Sequence, residues 1–179
     1  MNGNLLRAPH LPENPCPNLG NKPLRNWNGL IFTGKRDVAR DMANLGVLKD
    51  FDFSGHVLER VQIEEYACNW KTFIEVYLED YHVESYHPGL GNFVNTAELK
   101  WEFGEWYNVQ TVGINHNFIR PGTPVYANWH EHLLRQTADK TPAHGAIWML
   151  YYPNIMLEWY PHVLVISTLL PTATERCIN

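Results

Sequence analysis

Apolar side chains recur along this chain with two different periods, and together they predict an α+β fold. From residue 37 to residue 49 they recur at three- and four-residue steps, the helical period, and Asp37 is placed to cap the start. A second helical run covers residues 69–87. Asn69 is a suitable N-cap for it, and Pro88 predicts its end because a proline disfavours helical backbone in the residue before it.

The remaining apolar segments predict strands, most of them in the second half of the chain. The segments that alternate, or that are dense in β-branched and aromatic residues, are 25–34, 56–67, 107–114, 146–152, 155–160 and 163–170. Pro153–Asn154 and Pro161–His162 lie between the last three as turns, and connections this short predict an antiparallel meander. Five prolines within the first 23 residues predict loops and short strands there.

Composition indicates an ordinary globular domain and argues against several classes of function. Of 179 residues, 45% are hydrophobic and 18% charged, which is enough apolar surface for one sizeable core. A net charge of -5 without a basic stripe disfavours nucleic-acid binding. No apolar run approaches the roughly 20 residues of a membrane span, and the N-terminus lacks a signal-peptide pattern. Cys16, Cys68 and Cys177 form no evident disulfide framework, so a reducing cytoplasm is the simplest location.

The candidate chemistry lies in two histidines at the end of the second helical run. His82 and His87 are five positions apart, so on an ideal helix their side chains would point roughly 140° apart. They could share a metal only if the helix loosens or ends between them, and Pro88 favours such an ending. Two histidines and one carboxylate with open positions form the facial triad of Fe(II) oxygenases, although imidazole also suits zinc, copper and nickel. From the spacing alone, two histidines stabilised near a helix C-terminus are the more ordinary interpretation.

A zinc hydrolase is poorly supported by the same residues. The spacing fits neither H-E-x-x-H nor H-x-x-E-H, and Glu84 is not placed as either motif requires for activating water.

The longer segment resembles the iron-binding segment of the large (alpha) subunit of Rieske-type non-haem iron oxygenases, the aromatic-ring-hydroxylating dioxygenases. In that family an N-W-K opening leads into a helix, then an acidic residue, a Y-H pair and a second histidine. Here the segment reads Asn69-Trp70-Lys71-x-Phe73-x-Glu75-x-Tyr77-Leu78-Glu79-x-Tyr81-His82-x4-His87-Pro88-Gly89-Leu90. Weaker similarity extends over most of the chain: residues 2–6 and 27–32 resemble the tail of a Rieske domain, and 152–157 and 169–171 resemble catalytic-domain strands.

The resemblance implies a fold and a domain organisation. Residues 1–36 would be the C-terminal remnant of a Rieske domain. Residues 37–179 would be part of a mononuclear-iron catalytic domain of the helix-grip type, in which an antiparallel sheet packs on helices. The C-x-H and C-x-x-H ligands of a Rieske cluster are absent from this sequence. By resemblance they should precede Met1, and the family's third iron ligand, an aspartate, should lie beyond Asn179.

Roles for three residues follow from the same resemblance. His82 and His87 match the two iron-binding histidines. Glu79 matches the acidic position that bridges an iron histidine to a Rieske histidine of a neighbouring subunit, where a carboxylate can also fix the imidazole tautomer. The alternative for Glu79 is a solvated helix charge, and Asp80 is the less suitable bridge.

The implied enzyme inserts oxygen derived from O2 into an aromatic or other small organic substrate. Electrons from NAD(P)H would pass through a reductase or ferredoxin to a [2Fe–2S] Rieske cluster and then to mononuclear Fe(II) in an adjacent subunit of a homotrimer. The alternative function is a non-catalytic α+β module that binds a small molecule without a working metal site. The isolated chain is expected to bind Fe(II) weakly, because two neutral imidazoles lack the charge of the third ligand.

Other polar positions are weaker candidates. Trp129–His132 is a compact H-x-H with a carboxylate, but a polar loop between strands is its more ordinary interpretation. His116 is expected in a turn and His162 in an exposed hairpin. Tight iron binding by the isolated chain would direct attention to Glu131 or Glu158 as a third ligand.

Overall fold

A computed structural model describes Asn4 and residues 20–51, 53–87, 89–91, 93–115, 124–136 and 141–179. Cys16, His116, Pro88 and most of the proline-rich N-terminal segment lie outside the described residues, so the predictions made for them stay predictions. Backbone contacts divide the chain into two units, Met1–Ala43 and Asn44–Asn179.

The first unit contains a β-hairpin where one strand was predicted over residues 25–34. Strand β1 (Leu24–Trp27) pairs antiparallel with β2 (Leu30–Thr33). Asn28 and Gly29 form the turn with φ of 49° and 85°, the positive values that a two-residue hairpin turn requires. The single-strand prediction was wrong because the Asn-Gly turn signal inside the apolar run was not used.

The helix predicted over residues 37–49 is much shorter. Helix α1 covers only Val38–Asp41, and the Asp37 side chain caps it by accepting from the backbone N–H of Arg40, as expected. In the second unit, a separate 3-10 turn covers Leu48–Asp50. Asn44 and Gly46 lie between them, and both residue types have low helix propensity.

The strand predicted over residues 56–67 is wrong for most of its length. Only β3 (Glu65–Tyr66) is a strand. The apolar side chains that suggested alternation are exposed: Val57, Leu58, Val61 and Ile63. Sheet-like pairing starts only at Glu64, whose backbone exchanges two hydrogen bonds of 2.9 Å with Asn179. A strand needs a neighbouring strand to pair with, which alternation alone does not reveal.

The second half of the chain forms the predicted antiparallel meander. Each strand pairs with the next in a five-stranded sheet, and the turns at Pro153–Asn154 and Pro161–His162 are confirmed. The strands are β4 (Val94–Phe103), β5 (Tyr107–Ile114), β6 (Ala146–Tyr151), β7 (Ile155–Tyr160) and β8 (Val163–Thr168). The segment predicted as one strand over 163–170 is interrupted at Leu169. Beyond it, β9 (Leu170–Ala173) and β10 (Arg176–Ile178) form a second sheet in the order β3-β10-β9.

The centre of the five-stranded sheet is buried on both faces. Every residue of β5 and β6 is buried, including Asn108, Gln110 and Thr111. The alternating pattern of residues 107–114 therefore predicted the strand correctly, although neither of its faces is exposed to solvent.

Three further helices accompany the sheets: α2 (Trp70–Tyr77), α3 (Val83–Tyr86) and α4 (Pro124–Gln136). Helix α4 corrects the polar loop predicted at Trp129–His132. Glu131 and His132 are exposed on this helix, and an ion pair between Glu131 and Arg135, one turn later, supports it. No helix within the described ranges is long and apolar enough to cross a membrane. The predicted α+β class is confirmed.

Candidate metal centre

The candidate centre is built on α2, whose start is fixed by Asn69. The Asn69 carboxamide oxygen accepts a hydrogen bond of 2.9 Å from the backbone N–H of Lys71, as the sequence predicted for an N-cap. The amide nitrogen of the same side chain donates to the carbonyl of Thr174 at 2.7 Å. One residue therefore starts the helix and joins it to the turn between β9 and β10.

The other end of α2 is tied to the five-stranded sheet by Tyr77. Its hydroxyl donates to the carbonyl oxygen of Leu157 at 2.9 Å and lies 3.3 Å from that of Met149. Burial raises the pKa of Tyr77 well above its ordinary value, so the hydroxyl stays protonated and can donate. The segment after α2 thus begins at a fixed point over β6 and β7.

The helical run predicted through Tyr81 is broken at this point. Helix α2 ends at Tyr77, and the next helix, α3, begins at Val83. Within the break, one carboxylate oxygen of Glu79 accepts from the backbone N–H groups of Tyr81, at 2.5 Å, and His82, at 3.3 Å. Glu79 therefore satisfies amide groups at the beginning of α3 that have no partner inside the helix.

His82 and His87 lie at the two ends of the short helix α3. His82 is its N-cap and His87 its C-cap, and the backbone at His87 has left helical geometry, with φ -120° and ψ 62°. The two rings approach each other, with centroids 5.1 Å apart and planes at 75°. The predicted continuous helix is interrupted before His82, α3 ends at His87, and the two rings approach each other instead of pointing apart.

Glu79 also controls which nitrogen of His82 remains available. Its second carboxylate oxygen hydrogen-bonds to Nδ1 of His82. Desolvation opposes ionisation of Glu79, but the bond to His82 and those to the backbone outweigh it and lower the pKa of Glu79. An ionised carboxylate on Nδ1 holds the proton there and leaves Nε2 free to bind a metal.

The ring separation fits a shared metal. Two imidazoles that bind one first-row metal through nitrogens about 2.1 Å away, at about 90–110°, have centroids about 4.6–5.3 Å apart. The observed 5.1 Å lies inside that interval. Among the residues described, no third histidine, cysteine or carboxylate completes the group. The donor set present is thus two imidazoles, one of them oriented by a carboxylate.

Side chains of the five-stranded sheet pack behind α3, and the motif did not indicate them. Val83 packs in one buried cluster with Trp148 and Tyr160 of the sheet. Tyr160 donates a hydrogen bond of 2.8 Å to Glu158, and the indole N–H of Trp148 donates to the Tyr160 oxygen at 3.0 Å. The available signal was a single charged residue, Glu158, inside the apolar strand β7.

The other polar candidates lie elsewhere. His132 is exposed on α4, and His162 is exposed in its hairpin, as expected, with its ring 6.1 Å from that of Phe93. Cys68 and Cys177 are free thiols.

Comparison with known proteins gives the same family as the iron-site motif. Residues 51–179 match the family described as ring hydroxylating alpha subunit (catalytic domain). A putrescine 2-hydroxylase of Ralstonia nicotianae is 57% identical over 179 residues, which is all of this chain and 49% of that protein. A putrescine 2-hydroxylase of Bordetella bronchiseptica is 49% identical over 177 residues, 99% of this chain and 41% of that protein. The chain spans about half the length of these relatives or less.

Solved structures show the same fold at low sequence identity. A quaternary ammonium Rieske monooxygenase with a bound inhibitor superposes with a TM-score of 0.60 at 15% identity, covering 88% of this chain and 39% of the other. A complex of that type of enzyme with L-carnitine gives a TM-score of 0.56 at 15% identity, with the same coverage.

These findings also bear on the cofactors and the substrate. Rieske oxygenase alpha subunits use a mononuclear iron and a Rieske [2Fe–2S] cluster, as the resemblance implied. The expected aromatic substrate and the trimer find no support in these comparisons. The match over residues 51–179 shows that this chain belongs to the family of ring hydroxylating alpha subunits, the Rieske-type oxygenases.

Proposed function

We propose that this chain carries two ligands of the mononuclear iron in an oxygenase that hydroxylates a small aliphatic amine, with putrescine as the first candidate. The main support is the meeting of the His82 and His87 rings at the ends of α3, with Glu79 holding the His82 tautomer. The substrate rests on the relatives that are 57% and 49% identical and are putrescine 2-hydroxylases. An aliphatic diamine therefore replaces the aromatic substrate that the resemblance suggested.

The proposal includes an organisation for the whole protein, of which this chain is a part. Residues 1–36 are assigned to the end of a Rieske domain and residues 37–179 to the catalytic domain. The assembly is a cytoplasmic homotrimer that receives electrons from NAD(P)H through a reductase or ferredoxin. The overall reaction takes one C–H bond, O2, two electrons and two protons to one C–OH group and water.

The residues of this chain have distinct tasks in that reaction. The Nε2 atom of His82 and a ring nitrogen of His87 would hold the iron. Bound there, the iron would supply the activation of O2. Glu79 keeps the proton of His82 on Nδ1. Its side chain is 30% exposed, and its carboxylate retains room to accept a further hydrogen bond from a Rieske histidine of a neighbouring subunit.

The test uses the full-length protein with iron, a reconstituted cluster and its reductase. Putrescine and ¹⁸O2 should give a hydroxylated diamine that carries one ¹⁸O atom, detected by mass spectrometry. His82→Ala and His87→Ala should each lose iron and product, whereas the exposed His132→Ala should keep both. Normal iron content in both ligand variants would reject the assigned metal site. A parent protein that oxidises no amine would reject the proposed substrate class, and an absence of metal-dependent oxidation would favour a binding module.

A further inference from the structure

A carboxylate lies on the face of the sheet that packs against α3. Glu158 sits in the middle of β7 and pairs directly with Trp148 of β6. Directly paired residues, and residues two apart on one strand, point to the same face of a sheet. Because Trp148 and Tyr160 pack with Val83 of α3, Glu158 also faces the helix that carries the two iron histidines at its ends.

The surroundings of Glu158 leave its charge largely uncompensated. Its hydrogen-bond partner is the Tyr160 hydroxyl, at 2.8 Å. Within the described part of the chain, no lysine or arginine forms an ion pair with it. Burial raises the pKa of Glu158, against the opposing effects of the Tyr160 hydrogen bond and of positive charge on His87. A partly buried carboxylate of this kind is costly unless a cation accompanies it.

The neighbouring rings suit an organic cation. The ring centroid of Tyr160 is 6.1 Å from that of Phe93 and 6.2 Å from that of His162. Trp148 bonds to the same tyrosine oxygen. Aromatic faces attract ammonium groups, and a carboxylate beside them adds a charged acceptor for the N–H bonds. A site for an anionic substrate would instead present arginine or lysine.

We propose that the Glu158 carboxylate binds one ammonium group of the substrate and thereby determines which carbon faces the metal held by His82 and His87. This inference rests on the proposed function. Glu158 lies on the sheet face that packs against Val83 of α3, so a diamine anchored there at one end would extend its carbon chain along α3. The role requires an ammonium group at the anchored end of the substrate, because only a cation needs the carboxylate.

The test compares putrescine with n-butylamine, which has the same carbon chain but one ammonium group. Their dissociation constants are measured by calorimetry on the full-length parent, on Glu158→Gln and on the control Glu131→Gln, whose carboxylate is exposed on α4. In Glu158→Gln, putrescine binding should weaken by roughly 10- to 100-fold, the range for a lost hydrogen bond to a charged group. Binding of n-butylamine should weaken by a similar factor, because its single ammonium group takes the same position, and Glu158→Asp, which keeps the charge, should recover part of the affinity for both amines. Glu131→Gln should bind both amines as the parent does.

Three other outcomes overturn the inference. Loss of iron from Glu158→Gln would make Glu158 a metal ligand. A Glu158→Asp variant that binds both amines no better than Glu158→Gln would make Glu158 a structural residue. Unchanged affinity for putrescine would place the ammonium elsewhere. Because calorimetry reads binding and not turnover, a parent that binds putrescine without hydroxylating it rejects the proposed function and leaves the Glu158 comparison valid. A parent that binds neither amine rejects both.

Discussion

Replacing Glu79 with glutamine tests whether this carboxylate couples the iron site to the rest of the enzyme. One of its oxygens bonds to Nδ1 of His82, and the other accepts from the backbone N–H groups of Tyr81 and His82. Glutamine has one acceptor oxygen and one donor NH2 group. It can therefore satisfy either the imidazole or the backbone amides, and its other end places a donor against a donor.

The size of the effect of Glu79→Gln depends on how exposed the Glu79 and His82 side chains are. The Glu79 and His82 side chains are 30% and 23% exposed, so water relieves part of the mismatch. The loss in stability should lie near the lower end of the roughly 1–3 kcal/mol that a mismatched buried group costs. The metal-binding nitrogens are untouched, so iron content should stay near normal. Altering a carboxylate that orients a metal ligand typically lowers activity by roughly 10- to 100-fold, and we expect that loss in electron transfer to the iron.

The assay is a single turnover of reduced, full-length Glu79→Gln enzyme with iron and cluster content measured beforehand. The neighbouring Asp80→Asn variant is the matched control, and it should form product at the parental rate. Reduction of the cluster by the reductase should be normal in both. If Glu79→Gln forms product as fast as the parent, Glu79 is a solvated charge. The bridging role then belongs to Asp80 or does not exist.

Three further predictions test the proposed iron site and the hydrogen bonds that hold α2. The isolated 179-residue chain should bind Fe(II) weakly in equilibrium dialysis and turn over no amine, and His82→Ala or His87→Ala should abolish the residual binding. Stoichiometric, tight iron would contradict this and point to Glu131 or Glu158 as a third ligand. Tyr77→Phe should lower the free energy of unfolding of the full-length protein by about 1 kcal/mol, since the hydrogen bond to the buried carbonyl of Leu157 is lost. Tyr81→Phe, at an exposed position, should show no such loss in the same denaturation experiment. Asn69→Ala should cost about 1 kcal/mol by removing the N-cap of α2, and an unchanged unfolding midpoint would show that the cap contributes nothing.

The strands at the end of the chain could be predicted because their information is local. Residues 146–160 contain two dense β-type segments separated by Pro153–Asn154, and a connection this short permits only an antiparallel neighbour. The structure has β6 and β7 at these positions, with β7 bounded as predicted. The same logic applied to Asn28–Gly29 would have given the β1–β2 hairpin.

Residues 56–63 show where local information ends. Their alternation is as good as that of β5, yet their apolar side chains are exposed and only Glu65–Tyr66 pairs with another strand. Pairing depends on whether a distant strand is available, and the partner here, β10, lies more than a hundred residues along the chain. Alternation of apolar and polar residues indicates that a segment can form a strand, but it does not show whether another strand is available to pair with it.

The break between α2 and α3 results from a competition for backbone amide groups, which the helical periodicity of the sequence does not reveal. Tyr77 and Tyr81 are spaced for one continuous helix, and that spacing predicted one. In the structure, the Glu79 carboxylate takes the amides of Tyr81 and His82, which a continuous helix would have paired with carbonyls one turn earlier. The residue matched by resemblance to an electron-transfer bridge is thus also the residue that interrupts the helix immediately before His82.

Glu158 illustrates a second limit of prediction from sequence, because the register of β6 and β7 decides which face of the sheet it lies on. In the sequence it is one acidic residue in an apolar strand, equally consistent with an edge position or a solvent-facing one. Direct pairing with Trp148 places it on the same face as Tyr160, and the packing of both aromatics against Val83 turns that face toward α3, which has the two proposed iron ligands at its ends. A shift of one residue in the β6–β7 pairing would move Glu158 out of line with Trp148 and change this assignment. The motif predicts the metal ligands from one contiguous segment, whereas a substrate site on the sheet requires knowing how α3, β6 and β7 are aligned.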